Sequence, residues 1–428
     1  MRVVALCLFF LSHSVSADSL TLAQLIDRSL NANPETRAAW QRSRSQVERV
    51  GIAKSSYYPT LDASASINER LGDSALPGSE RQTQVSLSSQ WLLWDFGGRR
   101  ANLDSAQHTL AALQASQDAA SQQVAIRAVQ NWFTQLSAQA SLEAAQASLL
   151  AAEETAKAAR QRQLIGVATR EEELQAETAL AQAKLIVIQR QGELAASAGQ
   201  LAVVAGYDAD TVLALDYQDS ALDRLSQQTN AQPPELKQLL ALAQERRPEL
   251  IAQQLRVQAN HSELDRIAAQ ARPRLSLSAS STNSRDDLNQ NQGGQLALTA
   301  TLPLFTGFQQ RHQQALAQSQ IAEQGVELAR IKQQVSLDVW LAWQQLSTAQ
   351  ARITATDSLL AAASESSRAA LARYQAGIGN LLNVLTAQSN LADARQQHAR
   401  SRFDLAAARL QLAQASGLLV RDTATEFR

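Results

Sequence analysis

Three consecutive carboxylates, Glu171-Glu172-Glu173, are the first residues to test for chemistry. Adjacent glutamates can share a proton, attract a cation or offset the positive end of a helix dipole. Their setting favours the last role, because Thr169 followed three residues later by Glu172 forms a capping box. Histidines 108, 261, 312 and 398 lie on different predicted helices without ligand spacing, and each reads as a solvated helix residue rather than a metal ligand. Gly377-Ile378-Gly379 looks like the start of a dinucleotide loop, but no strand precedes it and no third glycine follows. No set of residues converges as nucleophile, base and oxyanion donor. The sequence therefore points away from an enzyme, and implies neither a cofactor nor a metal.

The elements that position these residues are read from composition and period. Lys plus Arg number 39 against 40 Asp plus Glu, so charge gives no reason to expect nucleic acid as a partner. Hydrophobic residues make up 45% but aromatics only 4%, which favours long helices with narrow alanine-lined seams over a thick aromatic core. Arg2, the apolar run Val3 to Leu11 and Val15-Ser16-Ala17 read as a secretory signal over 1–17. Cys7, the only cysteine, lies inside that signal, so no disulfide and no lipid anchor is expected after cleavage. Beyond it no run approaches the roughly 18 to 20 apolar residues of a membrane-spanning helix. A chain of this kind can cross a bilayer only as a β-barrel.

The sequence is written twice. Pro34 and Pro248, and Pro59 and Pro273, each lie 214 residues apart. Val124 and Val335, Trp132 and Trp343, Arg162 and Arg373, Gly166 and Gly377, Leu174 and Leu385, and Gly206 and Gly417 lie 211 apart. The change of three marks an insertion in the first copy between Pro59 and Val124, where loops tolerate it.

Each copy follows one plan. Thr21-Leu22-Ala23-Gln24 opens a short helix that ends near Asn33, and Pro34 starts another that runs to about Tyr57. The period then changes to two. Leu61, Ala63, Ala65 and Ile67 share one face, as do Val85, Leu87, Ser89, Trp91 and Leu93. The second copy repeats this with Leu275, Leu277 and Ala279, a loop from Thr282 to Gly294, then Leu296, Leu298, Ala300, Leu302 and Leu304. These are two β-hairpins, about 60–94 and 274–305, whose single apolar face suits lipid on one side and water on the other. From Arg99 to Leu164 there is no proline and no glycine, which predicts a helix roughly 100 Å long. Gly166 and Gly377 reverse the chain into returning helices, giving helical hairpins over about 99–206 and 308–417. The repeats run over 18–206 and 235–417, with a linker over 207–234 and a tail over 418–428.

Together these residues resemble the TolC family of outer-membrane efflux proteins. The resemblance spans the whole chain after the signal. It rests on Asn33-Pro34-Glu35, the prolines before the strands, the aromatic and glycine exits Trp94-Asp95-Phe96-Gly97-Gly98 and Phe305-Thr306-Gly307-Phe308, and Arg373-Tyr374-Gln375-Ala376-Gly377 leading to Leu381-Leu382-Asn383-Val384-Leu385. It implies an α-plus-β fold of mostly long helices, a homotrimer whose protomers each give four strands to a twelve-stranded barrel in outer-membrane lipid, and an α-helical tunnel in the periplasm of a Gram-negative bacterium. It also implies a passive exit duct working with a periplasmic adaptor and a proton-driven or ATP-driven inner-membrane pump.

By the same resemblance the helix-to-helix turns form the periplasmic tip, with Gly166, Val167, Ala168, Gly377, Ile378 and Gly379 docking the adaptor. Relatives narrow the tip with aspartate rings at the positions of Asn383 and Thr386, where this chain has no charge. Glu171, Glu172 and Glu173 are the carboxylates left to form a constriction that favours cations. Tyr374 matches a closed-state tip residue, although the arginine expected nearby is replaced by Gly379. Small molecules such as drugs are the first expectation for cargo, and type I protein secretion is the alternative. A periplasmic coiled-coil spacer would explain the helices but leaves the two hairpins without a use.

Overall fold

The computed structural model describes residues 20–69, 81–215, 235–285 and 290–418. The signal with Cys7, the loop over 70–80, linker residues 216–234 and the tail from 419 lie outside the described residues. The chain order is α1 (Leu22–Ala32), α2 (Pro34–Ser55), β1 (Thr60–Glu69), β2 (Arg81–Trp94), α3 (Gly98–Leu164) and α4 (Arg170–Val204). It repeats as α5 (Leu236–Arg246), α6 (Pro248–Ala269), β3 (Arg274–Arg285), β4 (Gln290–Thr301), α7 (Gln309–Gln375) and α8 (Leu381–Ala415). Helix lengths agree pairwise at 11, 22, 67 and 35 residues, so the duplication extends to the length of every described helix.

The described residues form two compact units, each drawing on both repeats. One comprises residues up to Thr36, Ser121–Leu239 and Asp338 onward; the other comprises Arg37–Ala120 and Leu240–Leu337.

The second unit holds an antiparallel sheet in the order β1-β2-β3-β4. Directly opposed residues of antiparallel strands share a face. The register therefore collects Leu61, Ala63, Ala65 and Ile67 with Val85, Leu87 and Trp91, then Leu275, Leu277 and Ala279, then Leu296, Leu298 and Ala300. The opposite face is almost wholly Ser, Thr, Asn and Gln. Leu61 is 70% exposed and Leu296 72%, so no described part of the chain covers them.

Three details depart from the sequence expectation. The described parts of the expected loop Thr282 to Gly294 are strand: β3 continues to Arg285, β4 begins at Gln290, and Gly294 pairs with Ser281. Their polar and glycine-rich composition imitates a turn, but the register set by the apolar pairs carries the ladder outward. At the other end β4 stops at Thr301, leaving Leu302 and Leu304 outside it, because Pro303 has no N–H to donate. A bulge at Leu93 interrupts strict alternation, since Leu92 lies opposite Ser276 and Trp94 opposite Leu275. Trp94, not Leu93, thus joins Trp91 on the apolar face.

Each hairpin passes into its long helix through two successive left-handed residues, Phe96 (φ 52°) with Gly97 (φ 95°) and Gly307 (φ 62°) with Phe308 (φ 64°). A bulky residue there is strained. Edge-to-face contacts hold both phenylalanines, Trp94 to Phe96 at 6.0 Å and Phe305 to Phe308 at 5.5 Å. Asp95 Oδ2 accepts the Arg99 amide at 2.6 Å and so caps α3. The Arg99 guanidinium donates to the Leu92 and Leu93 carbonyls at 2.6 and 2.9 Å.

The first unit packs α1 and the linker's described start around α3, α4 and α8. The expected capping box is complete, with the Thr21 amide donating to Gln24 Oε1 at 2.9 Å and the Gln24 amide to Thr21 Oγ1 at 3.3 Å. Leu22, Leu25, Val129, Trp132, Leu136 and Leu201 are buried together, and Leu215 of the linker joins them beside a parallel bridge to Leu20. Gly206, at φ 80°, ends α4 where a Cβ would come within 2.7 Å of the Ala32 Cβ, so only glycine allows that approach.

Candidate functional site

The functional residues expected from sequence cluster at the two helix-to-helix turns of the first unit. Both turns have one geometry. The Gly166 amide donates to the Gln163 carbonyl at 3.0 Å and the Val167 amide to Arg162 at 2.9 Å; Gly377 and Ile378 repeat these bonds to Tyr374 and Arg373, each at 3.0 Å. This pattern closes a helix with a left-handed residue, and φ is 77° at Gly166 and 78° at Gly377. Thr169 then caps α4 by accepting the Glu172 amide at 3.2 Å, and Asn380 caps α8 by accepting the Asn383 amide at 2.9 Å.

The three glutamates have three separate environments. Glu171 is exposed, and its carboxylate accepts from Gln175 Nε2 at 3.1 Å. Glu172 uses its amide for the cap, but its carboxylate faces Tyr374, whose hydroxyl lies 3.5 Å from Oε2. The reciprocal half of the box expected at Thr169 does not form. Glu173 is 4% exposed, hydrogen-bonded to Arg170 and 4.0 Å from Arg160. Its charge is thus already matched within the chain.

Tyr374 is 1% exposed and packs with Ala159, Ala176, Leu381 and Val384. Burial raises its hydroxyl pKa above the ordinary tyrosine value, the Glu172 carboxylate raises it further, and Arg162 opposes both. Arg162 is the residue that sequence reasoning missed. Its guanidinium carbon sits 4.7 Å from the Tyr374 ring centroid, and Nη1 donates to the Tyr374 carbonyl at 2.9 Å. A cation there also favours the negative end of α7. Gly379 cannot take this part: a Cβ on it would lie 3.1 Å from the Tyr374 amide nitrogen. The available signal was an arginine in the last turn of α3, which had been read only as half of a repeat match with Arg373.

The structure therefore brings Glu172 and Tyr374 together and keeps Glu171 and Glu173 apart from them. Asn383 and Thr386 are exposed on α8, where Thr386 Oγ1 donates back to the Leu382 carbonyl at 2.9 Å. Ala168 and Gly379 are partly covered, whereas Gly166, Val167, Gly377 and Ile378 are open. Leu164, Ile165, Val167, Ile378 and Leu382 present exposed aliphatic side chains beside them.

Among the described residues no group of three or more His, Cys, Asp or Glu could hold a metal. His398, expected to be solvated, is instead partly buried with Nε2 2.9 Å from Asp357 Oδ1. No described helix is long and apolar enough to cross a membrane.

Comparison with known proteins gives one consistent result. The profile of the outer membrane efflux protein family matches residues 25–207 and 239–418, once in each repeat. Protein CyaE of Bordetella pertussis is 29% identical over 412 residues, covering 95% of this chain and 86% of that protein. The outer membrane protein VceC of Vibrio cholerae superposes with a TM-score of 0.78 at 21% identity, covering 92% of this chain and 96% of that one. The MtrE outer membrane channel of Neisseria gonorrhoeae, solved in its open state, gives 0.78 at 21% identity, with 92% and 88% covered. At such identities the solved structures share the fold.

Proposed function

We propose, from the premise that this chain belongs to the outer membrane efflux protein family, that it is the passive exit duct of a tripartite export system. The chain is an outer-membrane protein whose long helices extend into the periplasm. The observation that carries the rest of the reading is the sheet: four strands, one exposed apolar face, one polar face, and β1 and β4 as unpaired edges. Open edges are not tolerated in hydrocarbon. Three copies, each pairing its β4 with the next copy's β1, close a twelve-stranded barrel with lipid outside and water inside. Residues 1–17 direct export and are removed.

The turns dock a periplasmic adaptor through Gly166, Val167, Ala168, Gly377, Ile378 and Gly379. The exposed Leu164, Ile165 and Leu382 beside them supply apolar area. Glu171, the one exposed residue of the three, gives the tip its preference for cations, while Tyr374 with Glu172 holds the two hairpins of one chain together. An inner-membrane pump selects the cargo, and small molecules such as drugs are the first class. Heat-resistant trimers in detergent and unit conductance in a planar bilayer test the duct; a soluble helical dimer would sink it. Unchanged susceptibility of a deletion strain to dyes and antibiotics would remove small molecules as cargo.

A second cargo, unfolded protein leaving by type I secretion, is favoured by the polar face of the sheet. Apart from Leu92, Gly293 and Ala297, its described residues are hydroxyls and amides with one acid, Asp62, and one base, Arg274. Such a lining offers an extended polypeptide little to adhere to. Loss of one abundant protein from the culture medium of the deletion strain would select this cargo.

A further inference from the structure

Of the four strand ends that lead into helices, three carry exposed aromatic rings and all four carry an exposed cation. Tyr58 before β1, Trp94 and Phe96 at the exit of β2, and Phe305 and Phe308 after β4 are all exposed. The antiparallel register puts them at one end of the sheet, where Trp94 lies opposite Leu275 and Arg274 opposite Thr301. Among the described residues the other end has no such rings: its apolar-face positions on β3 and β4 are Asn283, Arg285, Gln290 and Gln292. The two phenylalanines Phe96 and Phe308 hold strained positive φ values. Strain of that kind persists only where the surroundings over-determine it.

Each strand end also has one exposed cation: Lys54 before β1, Arg100 after β2, Arg272 before β3 and Arg311 after β4. Arg100 and Arg311 occupy the same repeat position, 211 residues apart. Arg100 is four residues beyond Phe96 and Arg311 three beyond Phe308, which places them about 4.5–6 Å past the rings at helical rise. Their charges are weakly engaged. Arg100 is 84% exposed and 3.8 Å from Asp104. Arg272 reaches only the Phe96 carbonyl at 3.5 Å, and Lys54 and Arg311 have no ion-pair partner among the described residues. Arg274 lies on the polar face and is not part of the set.

Exposed aromatic rings settle at the boundary between hydrocarbon and head groups, and cations one helical turn beyond them reach the phosphate level. We infer that Lys54, Arg100, Arg272 and Arg311 form a belt that binds the phosphodiester head groups of anionic phospholipids in the periplasmic leaflet of the outer membrane. This inference rests on the outer-membrane duct reading above. The belt fixes the depth of the barrel in the bilayer and enriches anionic lipid around the helix end of the sheet.

The test uses the full chain reconstituted into phosphatidylcholine vesicles, with brominated phosphatidylglycerol or brominated phosphatidylcholine as probe. Quenching of Trp91 and Trp94 fluorescence reports lipid at the apolar face. The wild type is expected to prefer the anionic probe about fivefold at low ionic strength, with the preference falling toward unity in high salt. K54Q/R100Q/R272Q/R311Q removes the preference, and R100K/R311K keeps it. Equal quenching by the two probes in the wild type at low salt overturns the belt, as does a preference that survives in the quadruple variant. If the quadruple variant does not insert, the salt dependence of the wild type decides the matter. Flotation of the vesicles separates the two readings: protein left in the soluble fraction sinks the duct and the belt together, whereas protein that floats without lipid preference sinks only the belt.

Discussion

The guanidinium of Arg162 lies over the ring of Tyr374 at 4.7 Å and donates to its carbonyl at 2.9 Å, joining the end of α3 to the end of α7 across 212 residues of sequence. The same carbonyl accepts the Gly377 amide that closes α7. One arginine therefore supports both the tyrosine and the turn.

Arg162→Ala should loosen the tip. A hydrogen bond from a charged donor contributes about 1.5–3 kcal/mol, so melting of the helical region should fall and single-channel conductance should rise. Arg162→Lys keeps charge but not the planar stacking and should fall between. Conductance equal to wild type in Arg162→Ala would show that the contact does not restrain the tip.

The Tyr374 hydroxyl should titrate above the ordinary tyrosine value. Its pKa is raised in the folded state, so its contribution to stability is present below the ordinary tyrosine range and is lost as pH rises through the folded value. Ultraviolet difference absorbance against Tyr374→Phe isolates this step. A Tyr374 hydroxyl that titrates at the ordinary tyrosine value would contradict a dry pocket.

Glu171→Gln and Glu173→Gln should separate selectivity from stability. The exposed Glu171 adds to the field at the tip, so its neutralisation should lower cation preference in reversal-potential measurements across a salt gradient. Glu173 is buried against Arg170 and Arg160, and Glu173→Gln should lower the melting temperature while leaving selectivity as in wild type. The opposite assignment of effects would place Glu173, not Glu171, at the pore.

Trp132→Ala should cost about 3–5 kcal/mol, since the indole is 1% exposed in the core of the first unit. Urea titration followed by circular dichroism reads the loss. A cost below about 1 kcal/mol would mean that the core collapses around the missing ring.

Local chemistry made much of this molecule legible in its sequence. Proline and glycine at repeat distances of 214 and 211 mark the helix boundaries, and a change of period from 3.6 to two marks the strands. These signals depend only on neighbours along the chain, so the cap at Thr21, the turns at Gly166 and Gly377 and the apolar face of the sheet follow from residue order. Composition misled where pairing overrode it, as at Thr282–Arg285 and Gln290–Gly294, which became strand. The partners of the ionisable groups were a different matter. Glu171, Glu172 and Glu173 are identical and adjacent, yet one is solvated, one faces a tyrosine 202 residues away and one is buried between arginines. Successive helical residues point about a quarter-turn apart, so each met whatever the packing of α3, α7 and α8 brought to that side. The sequence alone determined which elements form and where they reverse; only tertiary packing decided which carboxylate stays free and which arginine holds the tyrosine.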